Sequence, residues 1–229
     1  MIGRILGNRY DLIRELGSGG MAWVYLADDL AGRDNSHSRV AVKVLYPQLA
    51  HDADFLHRFL QEARLLVGLG EEEAGDAPGA GDLPEPGAGG EESAIVPVLD
   101  YGADRDTHYL VMAYVPGRDL RQVLQEEGPL DWRRALDITR QVAGALDRAD
   151  RHGVVHRDVK PGNIMILDGD RARVLDFGVA RARTSPTLTH SGFVGSPYYV
   201  APEQAMGNTV DIRADLYSLG VVLYEMVCG

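Results

Sequence analysis

The sequence predicts an α+β protein in two lobes. A small lobe is built on an antiparallel β-sheet with one main helix, and a larger lobe that follows it is mostly helical. Three observations predict this. Short runs bounded by glycine or polar turns alternate with period two within residues 10–45 and again within 94–115. One amphipathic repeat of helical period fills residues 54–69 between them. After Gly117 helical patterning dominates, with no internal repeat.

In chain order, Tyr10–Leu16 and Trp23–Asp28 flank the turn Gly17-Ser18-Gly19-Gly20, the signature of a hairpin. A polar turn at 31–38 leads to Arg39–Leu45, where Val40, Val42 and Val44 face one way and Ala41, Lys43 and Leu45 the other. The helix at 54–69 carries its apolar stripe on Phe55, Phe59, Ala63, Leu66 and Val67, and Glu62 lies on that stripe. A carboxylate on an inward face needs a cation. Glu62 therefore either pairs with Lys43 or sits at the stripe's edge in water. Strands are expected at 94–101 and 108–115, then a short helix at 120–126 and a long one at 132–151 with Ala135, Ile138, Val142 and Leu146 on one side. Lobes of this kind would meet near Val115-Pro116-Gly117, and clefts between lobes are frequent ligand sites.

Composition narrows the function classes. An apolar content of 45% and a charged content of 25% fit a globular chain. No apolar run approaches the roughly 20 residues of a membrane span, so no membrane segment is expected in this chain, and any anchor would belong to a longer parent. The net charge of −11 is mostly local, since residues 68–94 hold eight acids, eight glycines and three prolines without a lysine or arginine. That stretch reads as a flexible acidic insertion. The mildly acidic remainder has no basic stripe for nucleic acid. Cys228 is the sole cysteine and forms no internal disulfide, which fits a reducing, cytoplasmic setting. The seven histidines lack metal-ligand spacing.

The stretch richest in chemistry is His156-Arg157-Asp158-Val159-Lys160-Pro161-Gly162-Asn163, followed thirteen residues after Asn163 by Asp176-Phe177-Gly178. A carboxylate, a lysine and an amide in one short turn suit the aiming of a hydroxyl at a phosphoryl group held by a divalent metal. Upstream, Gly17-Ser18-Gly19-Gly20-Met21-Ala22-Trp23-Val24 precedes Val40-Ala41-Val42-Lys43. Glycines there let a backbone approach phosphate oxygens. Downstream come Gly195-Ser196, Ala201-Pro202-Glu203 and Asp215.

In order and spacing these motifs resemble the protein kinase family, and most closely the bacterial serine/threonine kinases of the eukaryotic (Hanks) type. The resemblance implies a bilobal kinase domain over 8–229, with an N-lobe at about 8–114, a hinge at about 113–117 and a C-lobe from about 118 onward. It implies an ATP site lined by Leu16, Gly17, Ser18, Gly19, Gly20, Met21, Ala22, Val24, Ala41, Lys43, Glu62, Met112, Tyr114, Val115 and Met165. Within it Lys43 would bind the α and β phosphates, held by Glu62, and Val24, Ala41 and Met165 would sandwich the adenine. Asp158 would orient and deprotonate the substrate hydroxyl, Lys160 would neutralise the transferring phosphoryl group, and Asn163 and Asp176 would hold Mg2+, with Mn2+ as an alternative. Lys160, two residues after Asp158, resembles the serine/threonine class. Arg157 would clamp a phosphorylated loop, Thr187 and Thr189 would be the phosphosites, and autophosphorylation would run in a homodimer. The hydroxyl of Ser196 would contact Asp158 and Lys160, and Asp215 would brace the catalytic loop.

The sequence departs from the family pattern in three places. Ala22 replaces the third glycine of the phosphate loop. The insertion at 68–94 separates the Glu62 helix from the next strand. Gly229 falls inside what the resemblance implies is a central C-lobe helix. A truncated C-lobe is therefore expected, with Glu203 lacking the family's arginine partner and Val221, Val222, Leu223 and Met226 under-covered. The functional expectation is a serine/threonine protein kinase transferring the γ-phosphoryl of Mg-ATP to protein hydroxyls. The alternative is a catalytically weak nucleotide-binding regulatory module. A small-molecule phosphotransferase would share the acids but would not need Ala201-Pro202-Glu203 or the Ser/Thr-bearing loop before it.

Overall fold

The computed structural model describes residues 1–31, 38–74, 94–177 and 197–229, with the backbone alone at 58, 62, 68–74 and 197. The chain divides into two compact units, Met1–Glu91 with Pro97–Val115, and Glu92–Val96 with Pro116–Gly229. Among the described residues no helix is long and apolar enough to cross a membrane.

The first unit is a six-stranded antiparallel sheet with two helices. Its strands are β1 (Ile5–Leu6), β2 (Tyr10–Ser18), β3 (Ala22–Asp29), β4 (Ser38–Leu45), β5 (Val98–Asp104) and β6 (Thr107–Ala113), in the order β1-β2-β3-β4-β6-β5. The alternation expected in β4 is observed. Val40, Val42 and Val44 are at most 1% exposed and pack with Tyr10, Leu12, Tyr25, Tyr109 and Val111. Burial of each such valine is worth about 1.5–3 kcal/mol. A polar cluster ties β2, β3 and β5. Arg9 donates two bonds to Asp29, both at 2.7 Å, and Tyr10 donates to Asp100 at 2.6 Å. Burial pushes the Asp29 carboxyl up, but the bonds from Arg9 and the Ala31 N–H outweigh it and hold the group below the usual carboxylate range. The short helix α1 (Pro47–Ala50) leads to α2 (Ala53–Ala74), which Asp52 caps by accepting the Phe55 N–H at 3.0 Å. Helix α2 packs against β5 and buries Phe55, Phe59, Ala63 and Leu66.

Three boundaries differ from expectation here. The sheet begins at Ile5, ahead of the first strand expected at Tyr10, because β1 pairs with β2. Helix α2 runs on to Ala74, into the acidic segment, since glutamates sustain a helix well. Strand β5 starts at Val98, not Ala94. Pro97 has no N–H to give a ladder, and residues 94–96 instead bond to Val174 (Val96 N–H to Val174 O at 3.0 Å, Val174 N–H to Ala94 O at 2.6 Å).

The second unit holds β7 (Arg118–Asp119), α3 (Leu120–Glu127), α4 (Trp132–Arg151), β8 (Ile164–Leu167), β9 (Arg171–Val174), the single turn α5 (Pro202–Ala205) and α6 (Ile212–Cys228). Helix α3 opens with a capping box between Asp119 and Gln122, and Asp131 caps α4. Helix α4 buries Ala135, Ile138, Val142, Ala145, Leu146 and Ala149, and packs on α6 and β9. The mostly helical reading after Gly117 is observed, and the unit also holds a short antiparallel sheet, β7-β8-β9, that the helical patterning did not anticipate. Its β8–β9 hairpin turns through Gly169 at φ 73° and Asp170 at φ 57°, a Gly-Asp pair suited to left-handed turns. A correction concerns α6. Val222 and Met226 are not under-covered: both are 0% exposed, and the Met226 carbonyl accepts the Leu130 N–H at 2.6 Å.

Candidate active site

In the second unit, residues 156–163 enter β8 through a 3-10 turn at Pro161–Asn163. Two donors converge on one carboxylate oxygen of Asp158. Lys160 Nζ donates to Oδ2 at 2.7 Å and Asn163 Nδ2 to the same atom at 3.1 Å. Asn163 Nδ2 also donates to the Asp158 carbonyl at 2.8 Å. Lys160 and Asp158 are 22% and 23% exposed, so the pair is shielded but reachable. Such a charge-assisted set fixes the Asp158 rotamer.

Asn163 is also tied to the strand carrying Asp176. The Leu175 N–H donates to the Asn163 carbonyl at 2.9 Å, extending the β8–β9 ladder to the residue before Asp176. Asp176 has φ 56° and Arg157 φ 62°, so two left-handed, non-glycine residues flank the chemistry. Each conformation costs about 1–3 kcal/mol and persists only where the surroundings enforce it. Asp215, on α6, provides that enforcement at Arg157. Its Oδ1 accepts the Arg157 N–H and its Oδ2 the His156 N–H, both at 2.7 Å. Burial pushes the Asp215 carboxyl up, against the pull of the His156 and Arg157 backbone N–H donors. The bracing role expected of Asp215 is thus observed.

His156 is 0% exposed. Its Nδ1 accepts the Asp158 N–H at 3.2 Å, so its Nε2 carries the proton and donates to the Leu175 carbonyl at 2.8 Å. Its ring lies 4.7 Å from that of Phe177. One buried imidazole therefore joins the Asp158 backbone to the segment bearing Asp176.

On the first unit the strand register gathers the expected nucleotide residues. Val24 opposes Lys43, Leu26 opposes Ala41, and Ala41 opposes Met112. Directly opposed and diagonal positions share a face. Val24, Ala41, Lys43 and Met112 therefore line one side of the sheet, opposite the valine core. Leu16 lies where the β2–β3 ladder slips between Glu15 and Gly17. Beyond Ser18, the Gly19 N–H donates to Ala22 at 2.9 Å, and Tyr46 donates through its hydroxyl to the Gly19 carbonyl at 2.7 Å and through its N–H to Met21 at 3.0 Å. A Cβ at Gly17 or Gly19 would meet nothing within 4 Å, and neither has a positive φ. The chain's own packing thus gives no reason for these glycines. Tyr114 and the buried Val115 follow β6. Met165 belongs to β8, near Gly117, where a side chain would come within 2.8 Å of the Ile166 carbonyl.

The backbone of Glu62 lies in α2, but its side chain is outside the described residues, as are Gly178, Thr187, Thr189 and Ser196. Sequence reasoning missed two anchors. Gln204 Nε2 donates to the Arg157 carbonyl at 2.8 Å, and the Tyr199 hydroxyl donates to Glu225 at 2.6 Å. The Ser218 hydroxyl in turn donates to the Tyr199 carbonyl at 2.7 Å. Burial, then the bond to Glu225, holds the Tyr199 phenol well above its ordinary value.

The protein kinase domain family matches residues 90–229. The chain is 42% identical over 231 residues to the serine/threonine-protein kinase PknB of Mycolicibacterium smegmatis, covering 98% of this chain and 33% of that one. It is 37% identical over 230 residues to PrkC of Bacillus subtilis, covering 100% and 32%. A probable serine/threonine-protein kinase of Clostridium acetobutylicum is 40% identical over 231 residues, covering 100% and 31%. The chain thus spans about a third of the length of the curated relatives it matches. With its β-sheet unit, its largely helical unit and these matches, the chain belongs to the protein kinase domain family, in the bacterial serine/threonine (Hanks-type) branch.

Proposed function

We propose that this chain is the catalytic domain of a serine/threonine protein kinase that transfers the γ-phosphoryl group of Mg-ATP to protein hydroxyls. The observation that carries the proposal is the convergence of Lys160 Nζ and Asn163 Nδ2 on Asp158 Oδ2. That geometry presents a fixed carboxylate beside a cation, which is what positioning a hydroxyl against a transferring phosphoryl group requires.

Protein kinases use ATP and a divalent metal. The donor set here fits such an ion. The Asn163 amide nitrogen is committed to Asp158, which leaves the amide oxygen, a hard donor, for the cation alongside the Asp176 carboxylate. Oxygen ligands few in number suit Mg2+, which completes its shell with phosphate oxygens and water, and Mn2+ accepts the same donors. Bound there, the metal would neutralise phosphate charge. Asp158 takes the hydroxyl proton as the new O–P bond forms and the bond to the β-phosphate bridging oxygen breaks, and Lys160 offsets charge on the transferring group. Lys43, held by Glu62, binds the α and β phosphates. Gly17 and Gly19 let the loop backbone approach them. Val24, Ala41, Met112 and Met165 contact the adenine, with Leu16, Ser18, Gly20, Met21, Ala22, Tyr114 and Val115 completing the nucleotide contacts. We assign the kinase domain to 8–229, the N-lobe to 8–114, the hinge to 113–117 and a cytoplasmic location. Autophosphorylation at Thr187 or Thr189 within a homodimer, read by Arg157, belongs to the same proposal.

The test is incorporation of labelled phosphate from Mg-ATP into a generic basic protein, with Asp158→Asn as control. Loss of transfer by at least about a hundredfold in the variant is expected for removal of an acid–base group. Equal incorporation by both proteins would reject the kinase assignment.

A further inference from the structure

The left-handed Arg157 is the residue immediately before Asp158, so the peptide unit joining them sets where the Asp158 carboxylate points. Both backbone polar groups of Arg157 are held by side chains from far along the chain. Its N–H donates to Asp215 on α6, and its carbonyl accepts from Gln204 Nε2 on α5, at 2.7 Å and 2.8 Å. Asp215 accounts for one side of this clamp. Gln204 holds the carbonyl side, and that carbonyl shares its peptide plane with the Asp158 N–H, which itself donates to His156. Rotation of the plane would break the bonds to Gln204 and His156 together.

Gln204 is well placed to resist that rotation. Pro202 starts α5, and the N–H groups of Gln204 and Ala205 both donate to the Ala201 carbonyl at 3.0 Å. The turn that follows the Ala-Pro-Glu motif is thereby linked to the strained residue of the catalytic loop, 47 positions earlier. We infer that Gln204 is a positioning residue. It locks the peptide plane between Arg157 and Asp158, so the rate of phosphoryl transfer depends on it although it touches neither nucleotide nor hydroxyl. This inference rests on the kinase reading above.

The test uses Gln204→Met, which keeps the side chain's length without a donor, and Gln204→Glu, which keeps its shape and sets a carboxylate against the carbonyl. Two readouts are taken on the full chain: steady-state kinetics, with Asp158→Asn as the inactive reference, and amide hydrogen exchange at Arg157 and Asp158. The loss of one hydrogen bond should lower kcat about fivefold in Gln204→Met, and further in Gln204→Glu, with the KM for ATP unchanged. Exchange at Asp158 should quicken in both variants while the amides of α4 keep their rates. Unchanged exchange in both variants overturns the clamp. Faster exchange with kcat unaltered, or a raised KM in place of a lowered kcat, overturns its part in positioning. Should the wild-type chain transfer no more phosphate than Asp158→Asn, the kinase reading falls, and the exchange data still decide the clamp.

Discussion

Tyr199 sits at the end of a 3-10 turn and is fixed twice, by its hydroxyl to Glu225 and by its carbonyl to Ser218. Removing only the hydroxyl isolates the first contact. Tyr199→Phe leaves a half-buried carboxylate without its donor, and a bond to a charged group is worth about 1.5–3 kcal/mol. Urea unfolding at neutral pH should show a loss of that size. The pH dependence has a definite sign. Burial and the bond to Glu225 raise the phenol above its unfolded value, so its contribution is fully present below the unfolded pKa of about 10 and is lost as pH rises through the folded value. The gap between wild type and variant should therefore hold across neutral pH and close in alkali. A gap that is absent at pH 7, or that grows in alkali, contradicts the assignment. Residues of this sort explain what the sequence conceals. Asp158, Lys160 and Asn163 are legible because they fall within six positions of one another. Gln204 and Glu225 are not, because a side chain that bonds 47 or 26 positions away leaves no periodic mark.

Helix α4 shows how far a periodic pattern carries. The spacing of Ala135, Ile138, Val142 and Leu146 specifies a face, and that face is the buried one. Leu146 is 1% exposed and Leu136, on the outer side, 47%. Leu146→Ala should cost about 2–5 kcal/mol through lost transfer energy and the cavity left against neighbouring elements. Leu136→Ala, at a surface position, should stay within about 0.5 kcal/mol. Denaturant midpoints for the two variants measure the contrast, and equal shifts would refute the register of the helix. Strands β8 and β9 mark the limit of the same reasoning. Four residues each are too short to declare a period: Ile164–Leu167 is apolar throughout, and Arg171–Val174, although it alternates, spans only two repeats, too few to separate strand from helix. Asp168-Gly169-Asp170 was the available signal, a turn tripeptide between an apolar run and an alternating one. Pro97 was the corresponding signal for the late start of β5.

For the whole chain, the question that separates a kinase from a nucleotide-binding regulatory module is whether binding and transfer can be uncoupled. A ligand that binds only the folded chain adds about 2.7 kcal/mol at a hundred times its Kd, which for a chain of this size raises the melting midpoint by about 5–10 °C. Mg-ATP should stabilise wild type and Asp158→Asn to a similar degree, because Asp158 is assigned to the hydroxyl and not to the nucleotide. Lys43→Met should lose most of the shift, since Lys43 lies on the sheet face shared with Val24, Ala41 and Met112 and is assigned to the phosphates. Its midpoint without nucleotide should stay near that of wild type, the half-buried lysine lying outside the valine core. Transfer should then separate the three proteins differently: present in wild type, lost in both variants. Stabilisation of wild type without transfer beyond the Asp158→Asn level would favour the regulatory module. A full shift in Lys43→Met would remove Lys43 from the nucleotide site, because a cation in contact with two phosphates cannot be deleted without weakening the binding that produces the shift.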